Sequence, residues 1–498
     1  MERLHDACGV VGIYAHPNDE NLDVRRYITL ALTALQHRGQ ESAGMAVYDA
    51  QGDIAHRVDM GKVRDVFNDS GMSLPATHCG IGHVRYSTTG SSCVENAGPF
   101  VVGSHDQYHS IAVAHNGDLT NGPALRAQFP QETLSSTTDS EAMALLLLNA
   151  EGQTFRERMI ETFPSLRGSY SLVILAEGKL YAMRDPWGMR PLCIGKIGNS
   201  WIVASESCAL DRTGATYVRG VEPGELITID ETGMRSEILV KNPRQSLCVF
   251  EYIYFSDATS AINDRYTYLV REALGRELAR EFPVEADLVV PVPDSSIPSA
   301  LGYAAVSGIT YSQAIIKNRY SDRTFIKPDQ RLRQLEVDLK FNFVRPKIDG
   351  ARLIIVDDSI VRGNTMKRLV SALRNQGAKE IHLRSSSPPL RYPCYFGIDI
   401  PREKELIAAG RTQQEVADYI GVDSLGYLSM AGLGRAIHTA QGDMPTPDDE
   451  TALNLLHSEF CYGCMETQGY PFDPHAEINR TARPIQLTPR RTGGKAMA

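Results

Sequence analysis

The stretch Leu353–Thr365, LIIVDDSIVRGNT, constrains this chain more than any other. Leu353 to Val356 make an apolar run suited to a strand buried on both faces, as in parallel sheets, and the run stops on two carboxylates, Asp357 and Asp358. Met366, Leu369, Val370 and Leu373 then recur at helical spacing, so a short loop joins the strand to a helix. In open α/β sheets, ligands sit beyond the carboxyl ends of the strands. Here the connecting loop carries Ser359, Arg362, Gly363, Asn364 and Thr365, and the first amides of the helix are available to an anion. Such a loop suits a phosphorylated sugar. Backbone N–H groups and Thr365 would hold a phosphate, while the two acids accept ribose hydroxyls or face the Mg²⁺ of a pyrophosphate. An ordinary strand-to-helix turn with a solvated acidic pair is the other reading the pattern allows.

The chain has 498 residues, too many for one core, which predicts about two to four domains. A net charge of −9 and 42% hydrophobic residues are those of a globular protein, and no basic stripe points to nucleic acid. The longest apolar runs, such as Ala142–Leu148, fall far short of the roughly 20 residues that cross a bilayer. The N-terminal MERLHDA carries both charge signs and no apolar core, so it is no secretory signal, and a cytoplasmic location is expected. Nine cysteines in such a chain read as free thiols, metal ligands or nucleophiles rather than a disulfide framework.

Cys8 precedes Val10, Val11 and Ile13, so it lies at the start of a strand near the chain end; a small buried thiol is its plain explanation. Leu22 to Gln36 has helical periodicity and stops at His37-Arg38-Gly39, where Gly39 fits a C-cap. GHVRYSTTG (82–90), AHNGDL (114–119) and TTDSEA (137–142) follow, each read as a polar turn between apolar segments. Each has a structural explanation. Asn116-Gly117 is a hairpin signal, and Asp139 suits the first turn of an apolar helix. From Tyr181 to about Lys241, short strands alternate with turns, and Pro243-Arg244 begins a linker into LCVFEYIYFS, an aromatic run read as a strand. A helix over Tyr266–Arg280 leads to DLVVPVPDSS (287–296), a second buried strand ending on polar residues. The basic segment 317–333 reads as a solvated loop or as a flap over a substrate, and 402–436 as two short helices.

Taken together these motifs resemble a known family. VDDSIVRGNT resembles the phosphoribosyl pyrophosphate (PRPP) loop of type I phosphoribosyltransferases, in the form found in the glutamine PRPP amidotransferases. Cys8-Gly9, the three polar blocks that follow, RDPWGMRPL (184–192) and ASE (204–206) resemble the N-terminal-nucleophile glutaminase domain of class II amidotransferases. The resemblance, which ends near Tyr470, implies an α/β protein with a propeptide, 1–7; a glutaminase domain of antiparallel sheets between helices, 8–242; and a phosphoribosyltransferase domain with a mainly parallel sheet and a C-terminal helical segment, 243–470; the tail, 471–498, reads as disordered from its Pro, Gly and basic residues toward the end.

The implied reaction converts PRPP, glutamine and water to 5-phosphoribosylamine, pyrophosphate and glutamate, the first committed step of de novo purine synthesis. Cys8 would be the nucleophile with its own α-amino group as base, which requires removal of Met1–Ala7. Asn116 and Gly117 would form the oxyanion hole, Arg85 and Asp139 would bind the glutamine carboxylate and ammonium, and Arg38 would shield or order the nucleophile. Asp357 and Asp358 through Ser359, Arg362, Gly363, Asn364 and Thr365 would bind PRPP, with Ser295, Asp357 and Asp358 facing Mg²⁺. Cys248, Cys394, Cys461 and Cys464 match the ligands of a [4Fe-4S] cluster in family members that bear a propeptide, although thiolates suit zinc equally on ligand type. Cys79, Cys93, Cys193 and Cys208 match nothing. The resemblance further implies a homotetramer inhibited by purine nucleotides. Another class II glutamine amidotransferase would lack the VDDSIVRGNT loop, and a non-catalytic PRPP- or nucleotide-binding regulator would have no need of Cys8, Arg85, Asn116 and Asp139 together.

Overall fold

The computed structural model describes residues 8–474 except 20, 69–73, 87–90, 104–109, 319–340, 401, 441 and 443–444. The expected propeptide, most of the basic segment 317–333 and the tail beyond 474 therefore lie outside the described residues. Two compact units emerge. One runs to Arg244 and adds Tyr395–Gly397 and the chain from Phe472; the other takes in Gln245–Cys394 and Ile398–Pro471. The expected boundary at 242/243 is thus displaced by two residues, and three residues from the middle of the second sequence block group with the first unit.

In the first unit two antiparallel sheets stack. The seven-stranded sheet runs in the order Thr216–Gly220, Cys193–Ile197, Ser200–Ala204, Gly9–Tyr14, Cys79–Arg85, Ser42–Tyr48, Ile54–Met60. The six-stranded sheet runs Gly233–Ile238, Glu225–Asp230, Lys179–Arg184, Gly168–Ala176, Ile111–Leu119, Phe100–Val102. Central strands are apolar on both faces because both faces are covered. Within Gly9–Tyr14, Val10 and Tyr14 join the core between the sheets, while Val11 and Ile13 face the core shared with the helices Val24–Ala34 and Ser207–Thr213. Within Ile111–Leu119, Ala112 and Ala114 point between the sheets, and Ile111 and Val113 pack toward Asp139–Asn149 and Phe155–Thr162. The result is helix, sheet, sheet, helix.

In the second unit a five-stranded parallel sheet runs Thr310–Tyr311, Leu288–Pro291, Arg352–Asp357, Glu380–Ser385, Ser424–Tyr427. In chain order that is second, first, third, fourth, fifth. Helices cover both faces. Thr267–Glu281, Ile297–Ser307 and Met430–Thr439 share one core with Val289, Ile354 and Val356, and Asn364–Asn375 and Gln413–Ile420 share the other with Val290, Leu353 and Ile355.

Three local expectations are corrected. The segment 114–119 is no turn: Asn116 and Gly117 lie inside the strand Ile111–Leu119, paired with Ser171 and Tyr170. Gly39 is not a left-handed cap; a Cβ there would stand 2.5 Å from the Arg85 backbone nitrogen, so glycine is needed for close approach. In the aromatic run only Leu247–Cys248 is strand, paired in parallel with Phe460–Cys461, and Glu251–Phe255 forms a π-helical turn. Phe250, Tyr252, Ile253 and Phe255 are all buried in this turn and the residues beside it.

Candidate active sites

Cys8 stands immediately before the strand Gly9–Tyr14. Its backbone is pinned by Arg38, whose Nε donates to the Cys8 carbonyl oxygen at 3.2 Å and whose Nη1 donates to Glu206 Oε1. Glu206 also receives His37 Nε2 at 2.7 Å. Ser205 binds the same strand through Val10: the Val10 N–H donates to Ser205 Oγ at 2.9 Å and the Ser205 N–H to the Val10 carbonyl at 3.0 Å. The QHRG and ASE blocks thus meet at Cys8. Glu206 and His37 carried no assigned role, although the ASE motif had marked the place.

The second cluster gathers the residues expected to hold glutamine. Arg85 ends the strand Cys79–Arg85, is 5% exposed, and donates from Nη1 to the Ser91 carbonyl at 3.4 Å. Asn96 Nδ2 donates to the same carbonyl at 2.8 Å, while Asn96 Oδ1 receives the Thr137 N–H at 2.8 Å. Two residues on, Asp139 begins its helix and accepts the Leu119 N–H on Oδ2 at 2.8 Å. His115 Nδ1 lies 2.9 Å from Ser140 Oγ. Ser91 and Asn96, the start of the Asp139 helix and the Asn116 strand are therefore one hydrogen-bonded group. Burial pulls His115 downward and His83 to about 3, so at neutral pH both rings are uncharged.

Asn116 is fully buried, and among the described residues neither Nδ2 nor Oδ1 has a hydrogen-bond partner. A buried primary amide left unsatisfied is costly unless something else is meant to meet it. Beside it Gly117 has φ +151°, and a Cβ there would stand 2.1 Å from the Ser169 carbonyl oxygen, so only glycine fits.

In the second unit, the order of strands reverses between Leu288–Pro291 and Arg352–Asp357, which are adjacent in the sheet with Pro291 beside Val356. A crevice opens at such a switch point. A pocket there is lined by Val292, Asp357 to Gly363, and Thr365. Asp358, 5% exposed, accepts Ser295 Oγ at 2.5 Å and Ser359 Oγ at 2.9 Å, and Asp357 Oδ1 receives the Asp358 N–H at 3.1 Å. The structure thereby joins Ser295 to the acidic pair across 63 residues of sequence. Asn364 opens the helix Asn364–Asn375, where the sequence places a helix start. Arg362 and Asn364 also serve the fold: Arg362 pairs with Glu405 at 3.0 Å, and Asn364 Oδ1 receives the Tyr419 hydroxyl at 2.8 Å.

The four thiols expected to act together are neighbours within this unit. Cys248 faces Cys461 across the short parallel pair, and the Cys464 carbonyl receives the N–H groups of Arg391 and Tyr392 at 2.9 and 3.0 Å, beside Cys394. Burial pushes the Cys464 thiol well up, and the negative charge of Cys248, Cys394 and Cys461 pushes it further. Among the described residues, no three His, Cys, Asp or Glu side chains converge on the position of a single metal ion. Of the remaining cysteines, Cys79 and Cys193 are buried and burial pushes both thiols well up, as for inert core thiols.

Comparison with known proteins agrees with this geometry. A glutamine amidotransferase domain matches residues 85–212 and a phosphoribosyl transferase domain matches residues 260–386. The amidophosphoribosyltransferase of Archaeoglobus fulgidus is 47% identical, over 87% of this chain and 94% of that protein. That of Methanothermobacter thermautotrophicus is 45% identical, over 89% of this chain and 95% of that protein. The chain belongs to the amidophosphoribosyltransferase family. In solved structures, the B. subtilis glutamine PRPP amidotransferase complexed with ADP and GMP superimposes with a TM-score of 0.83 at 39% identity, covering 94% of this chain and 98% of that one.

As an amidophosphoribosyltransferase, the chain is an enzyme of purine biosynthesis that makes 5-phosphoribosylamine from PRPP and glutamine. The amidotransferase match contains Arg85, Asn116, Gly117 and Asp139, and the transferase match contains Ser295 and the whole loop from Asp357 to Thr365. Among the described residues, no helix is long and apolar enough to cross a membrane.

Proposed function

We propose that the two sites divide the amidophosphoribosyltransferase reaction between them. At the first, Cys8 attacks the side-chain amide of glutamine, with its own α-amino group as base once Met1–Ala7 have been removed. Arg85 takes the substrate carboxylate and Asp139 its ammonium, while the Asn116 amide and the Gly117 N–H hold the oxyanion. Arg38 orders the nucleophile through the Cys8 carbonyl. The observation that carries this assignment is the fully buried Asn116 amide, without a partner among the described residues, next to a position where a Cβ has no room.

At the second site the helix terminus at Asn364 and Thr365, with Ser359, Arg362 and Gly363 before it, takes the ribose phosphate, and Asp357 and Asp358 orient the ribose. Two carboxylates with Ser295 hydrogen-bonded to one of them fit Mg²⁺, which takes one or two protein carboxylates and completes its shell with water and substrate phosphates. Bound there, Mg²⁺ would neutralise charge on the pyrophosphate leaving group. The ammonia released at Cys8 displaces that pyrophosphate, and water hydrolyses the glutamyl thioester left on Cys8 to glutamate and the free thiol.

Cys248, Cys394, Cys461 and Cys464 fit a [4Fe-4S] cluster as a structural group. A four-iron cube takes one thiolate at each iron, so its ligands need not converge on one point as those of a lone zinc ion must, and the mutual repulsion at Cys464 is what bound cations relieve. Nucleotide control is the further reading suggested by the B. subtilis complex with ADP and GMP, and the homotetramer is what the family resemblance implies.

Asn116→Ala tests the assignment. Glutamine-dependent synthesis should fall by about two to three orders of magnitude, the scale for losing an oxyanion donor, while synthesis from high external ammonia stays at the wild-type rate. Wild-type glutamine turnover in this variant would overturn it.

A further inference from the structure

We propose that the three-residue segment Tyr395–Gly397, and the Phe396–Gly397 backbone above all, is a positioning element for the oxyanion strand. The inference rests on the oxyanion role given above to Asn116 and Gly117. The segment is grouped with the first unit although Cys394 before it and Ile398 after it belong to the other.

Its contacts are specific. The carbonyl oxygen of Phe396, a buried residue, receives Ser169 Oγ at 2.8 Å and Arg190 Nη2 at 2.9 Å. Ser169 Oγ in turn accepts the N–H of Asp118 at 3.2 Å. A hydroxyl has one proton to give. By committing that proton to Phe396, Ser169 is left with its lone pairs toward Asp118, so the Phe396 carbonyl sets the orientation of the relay. The other face of the same peptide is held by packing. Gly397 has φ +85°, and a Cβ built on it would stand 3.0 Å from Asp118 Cβ, 3.2 Å from Asp118 N and 3.2 Å from the Gly117 carbonyl carbon.

The Gly117–Asp118 peptide is therefore fixed by a hydrogen-bond relay and by direct contact, both ending on the Phe396–Gly397 backbone. Gly117 has its own steric reason to stay at φ +151°, because Ser169 O occupies the space of its Cβ. Ser169 thus touches the oxyanion strand twice, through its carbonyl at Gly117 and its hydroxyl at Asp118. Phe396 is secured in place by its ring, which meets Phe472 at 5.0 Å between centroids, and Phe472 in turn meets Trp187 at 5.7 Å. A shift of a fraction of an ångström in this backbone moves the Gly117 N–H relative to the developing oxyanion.

The experiment compares Gly397→Ala, Ser169→Ala and Asn116→Ala in the full-length mature enzyme, with Gly410→Ala as control. Gly410 has a similar φ of +69° and nothing within 4 Å of its Cβ position, so this variant carries the backbone cost without the contact. Glutamine hydrolysis and ammonia-dependent synthesis are measured in each. Gly397→Ala and Ser169→Ala should lower kcat for glutamine by about tenfold to a hundredfold, the scale for misplaced catalytic geometry, with KM for glutamine and ammonia-dependent synthesis unchanged. Gly410→Ala should alter neither. The effect of Gly397→Ala should also largely vanish in an Asn116→Ala background, since a group already lost cannot be misplaced. If Asn116→Ala leaves glutamine turnover intact, the oxyanion assignment itself is wrong. If Asn116→Ala is impaired while Ser169→Ala and Gly397→Ala keep wild-type kcat, the positioning role is wrong; additive losses in the double variant overturn it equally. Should Gly397→Ala fail to fold, Ser169→Ala, which only removes an atom, decides.

Discussion

Arg38 and Glu206 form an ion pair in which neither side chain has any solvent exposure, and the same guanidinium holds the carbonyl oxygen of Cys8. Breaking a buried pair from one side is far more damaging than replacing both partners, because the surviving charge stays desolvated. Glu206→Ala should therefore cost about 3–5 kcal/mol in urea unfolding. Arg38→Met with Glu206→Leu should recover much of that stability without recovering glutamine turnover, since the tie to Cys8 is lost. If the double variant regains both, Arg38 matters for folding alone.

Acid should destabilise the first unit through its buried histidines. His83 is 4% exposed, its Nε2 lies 3.0 Å from the His115 carbonyl oxygen, and burial lowers its pKa from 6.5 to about 3. Between those two values the unfolded chain holds a proton that the folded chain does not. Stability is thus fully present above about 6.5 and declines as the pH falls toward 3, by up to about 1.4 kcal/mol per pH unit for one such group. His115 is shifted in the same direction by the same cause. Urea midpoints measured from pH 4 to pH 7 should rise with pH, and His83→Gln should flatten that rise. Parallel slopes for the two proteins would falsify a neutral, buried His83.

The parts of the site legible in the sequence are those encoded locally. Leu353 to Val356 followed by two acids and a helix start reads correctly because a strand buried on both faces needs an unbroken apolar run, and because the loop after it is contiguous. The thiol positions were legible only by resemblance, since the pairing of Cys248 with Cys461 spans two hundred residues of chain. Asn116-Gly117 misled as a turn: its glycine answers to the Ser169 carbonyl of a neighbouring strand, and a pairwise approach across a sheet leaves no trace in the local pattern. Gly39 is the same case against Arg85. The role of Glu206 could be read only once the QHRG and ASE blocks were seen to meet. Phe396 escaped altogether, because what it contributes is a carbonyl oxygen, which every residue carries.

The thiol set gives a third prediction. With Cys248 opposite Cys461 and the Cys464 carbonyl bonded to the backbone at 391–392, a group bound by all four thiolates would fasten three separate stretches of one unit together. Anaerobically purified protein should be brown and contain about four iron atoms per chain, as a Cys₄-ligated cubane requires. Cys464→Ser should lose the iron and unfold at lower urea concentration. A colourless protein with stoichiometric zinc would replace the cluster by a single ion.

The two sites should also separate cleanly in kinetics. If ammonia alone connects them, Cys8→Ala removes the thiol that only the first site uses, so glutamine-dependent synthesis should vanish while synthesis from high external ammonia persists. Asp357→Asn together with Asp358→Asn acts on the other half. Asp358 is buried and accepts hydroxyls from Ser295 and Ser359, and an amide at either position offers N–H groups where the wild type offers only acceptors. That change removes negative charge that Mg²⁺ and the ribose hydroxyls would meet, so phosphoribosylamine formation should fall by orders of magnitude with either nitrogen source. Glutamine hydrolysis in the double variant should remain measurable, because none of the groups at Cys8, Arg85, Asn116 or Asp139 has been altered. Equal loss of glutamine- and ammonia-dependent synthesis in folded Cys8→Ala protein would show that the thiol also serves the second step, and the division into two chemistries would have to be abandoned.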